Sequence, residues 1–179
     1  VGFVAPKLFN TYYEFGLGLF FTVLIAAYLA RRAMVIVPVL ALVAAGFTAY
    51  QIHTYINMLS KDARVMSRNF YGTLRVKDFG DESSLEGTRR LMHGVIMHGE
   101  QFLAPARRME PTTYYGPKAG IGRILNIKRD GAKEIRVGVV GLGTGTLAVY
   151  GRPGDVYRFY EINPEVIELA KTEFTYLGS

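Results

Sequence analysis

A run of glycines follows an apolar segment in the last third of the sequence. Residues Val139–Gly151 are VVGLGTGTLAVYG, in which the glycines are spaced Gly141-x-Gly143-x-Gly145. A turn of this kind between a strand and a helix lets backbone N–H groups and the positive helix end approach a ligand, because glycine carries no side chain. The segment therefore predicts a binding turn for an adenosine-bearing cofactor.

An acidic residue ends the next apolar segment. Glu161 closes VYRFYE and lies eighteen residues beyond Gly143. A carboxylate at the end of the second strand of such a unit accepts hydrogen bonds from ribose hydroxyls. Nicotinamide and S-adenosyl cofactors both carry this ribose, so Glu161 alone does not distinguish them.

The spacing of the glycines does distinguish the two cofactor classes. A dinucleotide site uses G-x-G-x-x-G to seat a pyrophosphate, and Thr146 stands at the position of the third glycine. The form Gly-x-Gly-Thr-Gly is commoner in S-adenosyl sites, which hold no pyrophosphate. The spacing favours an S-adenosyl ligand, with Thr144 inside the loop, and a strand-to-helix turn without a ligand is the alternative.

The elements that must position these residues form a βαβ pattern, which is typical of a parallel sheet. Asparagine is a preferred N-cap, and proline is tolerated at the first helical position. In chain order we predict a strand from Ile135, the start of a helix at 144–150, a turn at 151–155, a strand at 156–162 and a helix from Pro164 capped by Asn163.

A small antiparallel sheet is predicted before this unit. Apolar and polar residues alternate from Thr73 to Phe79, residues 80–83 are typical of a turn, and Thr88 to Met97 is predicted as one return strand. A helix is then predicted from Gly116 through Ile127, and RDGAK closes it. The fold class is α/β.

The first sixty residues differ in character from the rest. Phe15 to Ala30 is free of charge, and residues 33–60 form a second apolar stretch; only Arg31 and Arg32 interrupt the apolar sequence between them. With its flanking tyrosines the first stretch reaches the roughly 17–25 residues that a bilayer helix needs. We predict a transmembrane helical hairpin; a signal peptide and a buried hairpin of a soluble protein are the alternatives.

The charges suggest an orientation for this hairpin. Of the net charge of +6, residues 1–60 contribute +2, residues 61–136 contribute +6 and residues 137–179 contribute −2. Lys61, Arg64 and Arg68 follow the second span, which predicts a cytoplasmic location for the soluble part at the inner membrane, with the lipid bilayer as a partner. The basic residues form no recognisable nucleic-acid module, so no nucleic-acid partner is predicted. Cysteine is absent, which excludes disulfides and thiolate metal sites.

Five segments carry a family resemblance. They are RNFYGTLRV (68–76), LMHGVIMHGEQF (91–102), PTTYYGPKAGIG (111–122), RVGVVGLGTGT (136–146) and YRFYEINPEVIELA (157–170). Together they resemble bacterial membrane-bound spermidine synthase-like proteins, which are members of the polyamine aminopropyltransferase family. The resemblance covers the chain from about residue 66 onward.

The resemblance implies a fold and a reaction. The fold is a small β domain followed by a Rossmann-like domain of the S-adenosylmethionine-dependent methyltransferase type. The reaction is transfer of an aminopropyl group from decarboxylated S-adenosylmethionine to an amine such as putrescine, in polyamine biosynthesis. Gly141, Gly143 and Gly145 match the family's glycine loop and Glu161 matches its ribose-binding acid. No metal is implied.

Other family positions differ in this chain. Thr144 replaces the acid of the glycine loop, and the family's Tyr-His-Glu segment becomes Tyr114-Tyr115-Gly116-Pro117. Tyr114 and Tyr115 are the candidate substrate residues, either by stacking on adenine or as packing residues. Gln101 is a candidate for cofactor contact. His93 and His98 are assigned to strand surface or loop positions.

These expectations define three segments and three functions. Residues 1–60 hold two transmembrane helices, residues 61–110 the β-hairpin domain, and residues 111–179 the first part of a truncated Rossmann-like domain, with catalytic residues expected beyond Ser179. An S-adenosylmethionine-dependent methyltransferase and a non-catalytic nucleoside-binding membrane sensor are the alternatives to aminopropyl transfer. A homodimer is compatible with either enzyme.

Overall fold

A computed structural model describes residues 4–32, 36–129 and 134–178. The chain divides into two compact units. The first, called the helical unit here, comprises Val1–Lys61 and Arg68–Phe70, and the second, the mixed unit, comprises Asp62–Ser67 and Tyr71–Ser179.

Two long apolar helices make up most of the helical unit. A short helix α1 (Ala5–Leu8) precedes α2 (Tyr13–Ala30) and α3 (Ile36–Ser60). Both long helices are long and apolar enough to cross a membrane, with mean hydropathies of 1.7 and 1.6. Only 11% and 6% of the residues in their apolar windows are buried, unlike those of a soluble protein's core helix. The first span begins two residues before its predicted start, and the start predicted at residue 33 lies outside the described residues.

The charge at the start of α2 is paired within the helical unit. Arg68 donates hydrogen bonds to both carboxylate oxygens of Glu14 and to the carbonyl oxygen of Thr11, and its guanidinium lies 4.1 Å from the centre of the Tyr12 ring. A carboxylate at the edge of an apolar segment is costly unless it is paired, and this arginine supplies the partner.

A four-stranded antiparallel sheet opens the mixed unit, except that Arg68 and Asn69 at the end of its first strand belong to the helical unit. Its strands are β1 (Ala63–Asn69), β2 (Gly72–Phe79), β3 (Thr88–His93) and β4 (Ile96–Phe102), in that spatial order. The predicted single return strand Thr88–Met97 is wrong, because the chain reverses at Gly94 and Val95. Gly94 has φ of 60°, a left-handed conformation that suits glycine in a two-residue hairpin loop. Strand β1 was not predicted, because its residues ARVMSRN lack regular alternation.

A parallel strand pair follows the sheet, as predicted. Strands β5 (Arg136–Val140) and β6 (Val156–Tyr160) are paired in parallel, and helix α5 (Pro164–Thr172) follows. The predicted N-cap is confirmed, since the Asn163 side chain accepts a hydrogen bond from the Glu165 N–H.

Two predicted helices differ from those in the structure. Helix α4 spans Gly120–Arg129 rather than starting at Gly116, because a turn closed by the Ala119 N–H and the Gly116 carbonyl precedes it. Residues 130–133 of the predicted closing turn lie outside the described residues. The helix expected after the glycine loop is only a 3-10 turn, Thr146–Tyr150, which ends where Gly151 returns to extended backbone.

The core of the mixed unit joins the antiparallel sheet to α5. One face of the sheet and one face of the helix bury their apolar side chains against each other and against the glycine loop, which fixes the loop relative to both. The buried members of this cluster are Leu74, Val76, Leu91, Leu142, Val166, Leu169, Ala170 and Phe174.

Ion pairs reinforce the contact between the sheet and the end of α5. Arg89 donates to both carboxylate oxygens of Asp78, at 2.7 and 3.0 Å, and to the carbonyl oxygen of Glu173 at 2.8 Å. Arg64 contacts the carboxylates of Asp78 and Glu173 at 3.3 and 3.2 Å. Burial raises the pKa of the Asp78 carboxyl, but the hydrogen bonds and charges of the two arginines outweigh burial, so this pKa lies below its usual value.

We expect Asp78 to make the stability of the mixed unit depend on pH. Because the pKa of Asp78 is lower in the folded than in the unfolded chain, its contribution is present above the unfolded pKa and is lost as pH falls through the folded pKa. The difference in unfolding midpoint between wild type and Asp78→Asn should therefore shrink as pH falls from about 7 to about 3. Urea titration at each pH measures it. Glu168→Gln, on an exposed acid, is the control, and an unchanged difference for Asp78→Asn would contradict the prediction.

Candidate functional site

A pocket of about 400 Å³ lies in the mixed unit, beside the glycine loop. Its wall is partly apolar, from the sheet and α5, and partly polar, from residues at the ends of β5 and β6. Its lining includes Tyr71, Leu74, Leu91, His93, His98, Tyr114, Tyr115, the run Val139–Gly143, Glu161–Asn163 and Val166. Of the predicted site residues, it brings together Gly141, Gly143, Glu161, Tyr114 and Tyr115.

The glycines of the loop have left-handed backbone conformations. Gly141, Gly143 and Gly145 have φ of 90°, 57° and 85°. A Cβ at Gly143 would lie 2.7 Å from the His98 carbonyl oxygen, and a Cβ at Gly145 would lie 3.0 Å from the Leu177 side chain. A Cβ at Gly141 would meet no atom within 4 Å. Close packing therefore leaves no room for a side chain at Gly143 or Gly145. Gly141 has open space around it, beside the pocket.

Thr144 turns its side chain away from the pocket. Its hydroxyl forms a buried hydrogen bond of 2.9 Å with that of Thr146 and packs against Gly99, where a Cβ would lie 2.5 Å from the Thr144 Oγ1. Any contact of Thr144 with a ligand in this pocket would thus come from its backbone.

The Glu161 carboxylate is held in place by two backbone groups. Its Oε2 accepts a hydrogen bond from the Leu142 N–H at 2.9 Å, and its Oε1 accepts one from the Asn163 N–H at 3.0 Å. Each carboxylate oxygen can accept two hydrogen bonds, so both keep capacity for a ligand. The fixed carboxylate is suited to accept a pair of neighbouring hydroxyl groups.

Two tyrosines form another side of the pocket. The Tyr114 and Tyr115 rings have centroids 4.4 Å apart, and the Tyr115 carbonyl accepts a hydrogen bond from the Tyr150 hydroxyl. Burial, together with the hydrogen bond of its protonated phenol to Tyr114, raises the pKa of Tyr115 to about 12. Thr113 has φ of 54°, which is strained for a β-branched residue.

Gln101 lies outside the lining of this pocket. Its side chain is buried; its amide nitrogen donates to the Arg108 carbonyl and the Thr175 hydroxyl, and its carbonyl oxygen accepts from the Thr175 N–H. The hydroxyl of the buried Tyr176 donates a hydrogen bond of 3.2 Å to the carbonyl oxygen of Glu100, the residue before Gln101. In this arrangement Gln101 ties β4 to the segment after α5.

Two histidines that sequence reasoning assigned to strand surface or loop positions line the pocket. The His93 and His98 ring centroids are 5.3 Å apart, and His93 Nε2 donates to the Tyr71 carbonyl at 2.9 Å. Partial burial lowers the pKa of His98, as does His93, while Glu161 opposes the shift. The sequence signal that could have marked both histidines as site residues is the His-Gly pair, which occurs at 93–94 and again at 98–99. Among the described residues, no group of three or more acids and histidines is arranged to hold a metal ion.

Comparisons with protein-family models, with curated proteins and with solved structures find no match for this chain.

Proposed function

We propose that the mixed unit binds an S-adenosyl-type nucleoside in the pocket, as part of a membrane-bound spermidine synthase-like protein. The observation that carries this proposal is the Glu161 carboxylate, which two backbone N–H groups hold beside the glycine loop and in the wall of a 400 Å³ pocket. A rigid acceptor at the end of the second parallel strand suits the two ribose hydroxyls. The adenine would then lie against the apolar wall and the tyrosines.

The glycine loop supports a nucleoside over a dinucleotide. A pyrophosphate site needs the N-terminus of a full helix after the loop, with N–H groups and a dipole directed at the phosphates. Here the loop leads into the five-residue 3-10 turn at Thr146–Tyr150. Thr146, in place of the third glycine, is buried against Thr144. These features favour a ligand without phosphates.

The order of elements supports a Rossmann-like domain of the methyltransferase type. Strands β5 and β6 are parallel, the loop leaves the first strand, the acid follows the second, and α5 starts three residues after the acid. This order is the beginning of a doubly wound sheet. We propose that the described part corresponds to its cofactor-binding end.

The proposed reaction is transfer of an aminopropyl group to an amine. The nitrogen lone pair of the acceptor attacks the carbon next to the sulfonium, the C–S bond breaks with its electrons on sulfur, and the product amine loses a proton to solvent or to a base. Since the sulfonium is a good leaving group, the protein contributes mainly proximity and orientation. In this chain, Glu161 and the loop would orient the nucleoside.

A non-catalytic sensor is the second candidate. Among the described residues that line the pocket, Glu161 is the one carboxylate, and the proposed ribose contact engages it. A diamine would need further acids to hold its ammonium groups. A sensor would bind the nucleoside without turning it over.

Calorimetry on the protein in detergent tests the nucleoside proposal. We expect methylthioadenosine and decarboxylated S-adenosylmethionine to bind, and NAD to bind more weakly by at least about tenfold. Tight binding of NAD with no binding of either nucleoside would refute it. Product analysis on the full-length parent, with the catalytic residues expected beyond Ser179, then separates the functions. An aminopropylated amine supports aminopropyl transfer, a methylated product supports an S-adenosylmethionine-dependent methyltransferase, and binding without product supports the sensor.

We also propose that α2 and α3 cross the inner membrane and that the mixed unit faces the cytoplasm. The support is their length and hydropathy, together with Lys61, Arg64 and Arg68 after the second span. A reporter fused after Ser179 should be active on the cytoplasmic side. Activity on the outer side alone would show the orientation to be wrong.

A further inference from the structure

His98 lies at a β-bulge and lines the pocket. In the β3–β4 pairing Met92 lies opposite Met97 and Leu91 lies opposite Gly99, so His98 is the extra residue of β4. From the hairpin, where His93 lies opposite Ile96, alternation along β4 places His98 on the same face as His93. Both histidines line the pocket, and the bulge shifts the pairing from Gly99 onward.

The position of His98 relative to the glycine loop is fixed by close packing. Its carbonyl oxygen approaches Gly143 so closely that a Cβ there would lie 2.7 Å away, and the next residue, Gly99, packs in the same way against Thr144. Within the described part of the chain, no hydrogen bond to the His98 ring is found. A fixed backbone therefore carries an imidazole whose ring nitrogens can interact with a ligand.

We propose that His98 is the residue by which this pocket distinguishes the charged sulfonium form of the nucleoside from its neutral thioether form. The inference rests on the proposed function. Glu161 is bonded to Leu142 of the loop, and the next residue, Gly143, packs against the His98 backbone. A nucleoside whose ribose is held by Glu161 would therefore place its 5′ sulfur over the loop, beside β4. His98 is the side chain that β4 presents there.

Electrostatics gives this position its selectivity. A neutral imidazole offers a lone pair to a nearby positive sulfur, whereas a protonated imidazole repels it. The partial burial of His98 and the proximity of His93 favour the neutral form, so the sulfonium is accepted at neutral pH. The other titratable groups that line the pocket are His93, Glu161, Tyr71, Tyr114 and Tyr115.

Binding of two matched ligands at two pH values tests the proposal. S-adenosylmethionine and S-adenosylhomocysteine differ by one methyl group and one positive charge, so the ratio of their affinities isolates the response to charge. In the intact protein this ratio should move against the sulfonium by about threefold or more between about pH 8 and about pH 5. Glu161 does not confound the ratio, because its ribose contact is the same in both ligands.

Variants assign the effect to one histidine. In His98→Gln and His98→Asn, the ratio of the two affinities should become independent of pH. In His93→Gln, which keeps an N–H donor for the Tyr71 carbonyl, the ratio should still depend on pH. Retained binding of S-adenosylhomocysteine, the thioether, shows that the pocket of each variant is folded. Loss of the pH dependence in His93→Gln alone, or a ratio in the wild type that does not change with pH, would overturn the role of His98 and leave the proposed function intact. Failure of both ligands to bind would instead refute the proposed function.

Discussion

Replacing Glu161 with glutamine is expected to weaken nucleoside binding by about tenfold to a hundredfold, because two charge-assisted hydrogen bonds to the ribose become neutral or are lost. The substitution also replaces one acceptor oxygen by an amide NH₂ group, which donates and does not accept, so the hydrogen bond from either the Leu142 or the Asn163 N–H is lost. Calorimetry with methylthioadenosine measures the effect.

A matched acid on the following helix provides the control. Glu168 lies on α5, is exposed, and is not part of the pocket lining. Glu168→Gln makes the same chemical change and should bind with wild-type affinity. Equal affinities for Glu161→Gln and wild type would mean that Glu161 supports the loop without contacting ribose.

Replacing Gly143 with alanine is expected to destabilise the mixed unit by about 2–4 kcal/mol. The left-handed φ of 57° is unfavourable for alanine, and the new Cβ would lie 2.7 Å from the His98 carbonyl oxygen. That oxygen belongs to the backbone of β4, so relief requires movement of the loop away from the sheet. Urea unfolding followed by near-ultraviolet circular dichroism measures the change.

Gly141→Ala separates backbone strain from crowding at this loop. Gly141 also has positive φ, at 90°, but its Cβ would meet no atom within 4 Å. Its substitution should cost only the strain of the backbone, about 1–2 kcal/mol. If Gly143→Ala were no more destabilising than Gly141→Ala, close packing of β4 on the loop would be the wrong explanation for Gly143.

Features that depend on local sequence were predictable. The two apolar helices follow from composition over some twenty consecutive residues, and the start of α5 follows from the adjacent Asn163 and Pro164. The parallel pair and the place of Glu161 after its second strand follow from the order of apolar segments. The helices and the N-cap depend on neighbouring residues, and the parallel pair joins strands only twenty residues apart in the chain.

Features that depend on contacts between distant segments were not predictable. Pairing with β2 stabilises β1, whose own sequence lacks regular alternation. The side chain of Gln101 is engaged by Thr175, seventy-four residues away. The pairing of β4 shifts by one residue at His98, and no local pattern marks that shift. The helix expected after the loop ends as a 3-10 turn once the chain meets Gly151.

A structure of the protein with methylthioadenosine bound is the most direct test of the central claim, that the pocket beside the glycine loop holds an S-adenosyl-type nucleoside through Glu161. We expect both ribose hydroxyls within hydrogen-bond distance of the Glu161 carboxylate and the 5′ sulfur above the loop, on the side of His98. A nucleoside bound elsewhere, or one in this pocket whose ribose does not contact Glu161, would contradict the account.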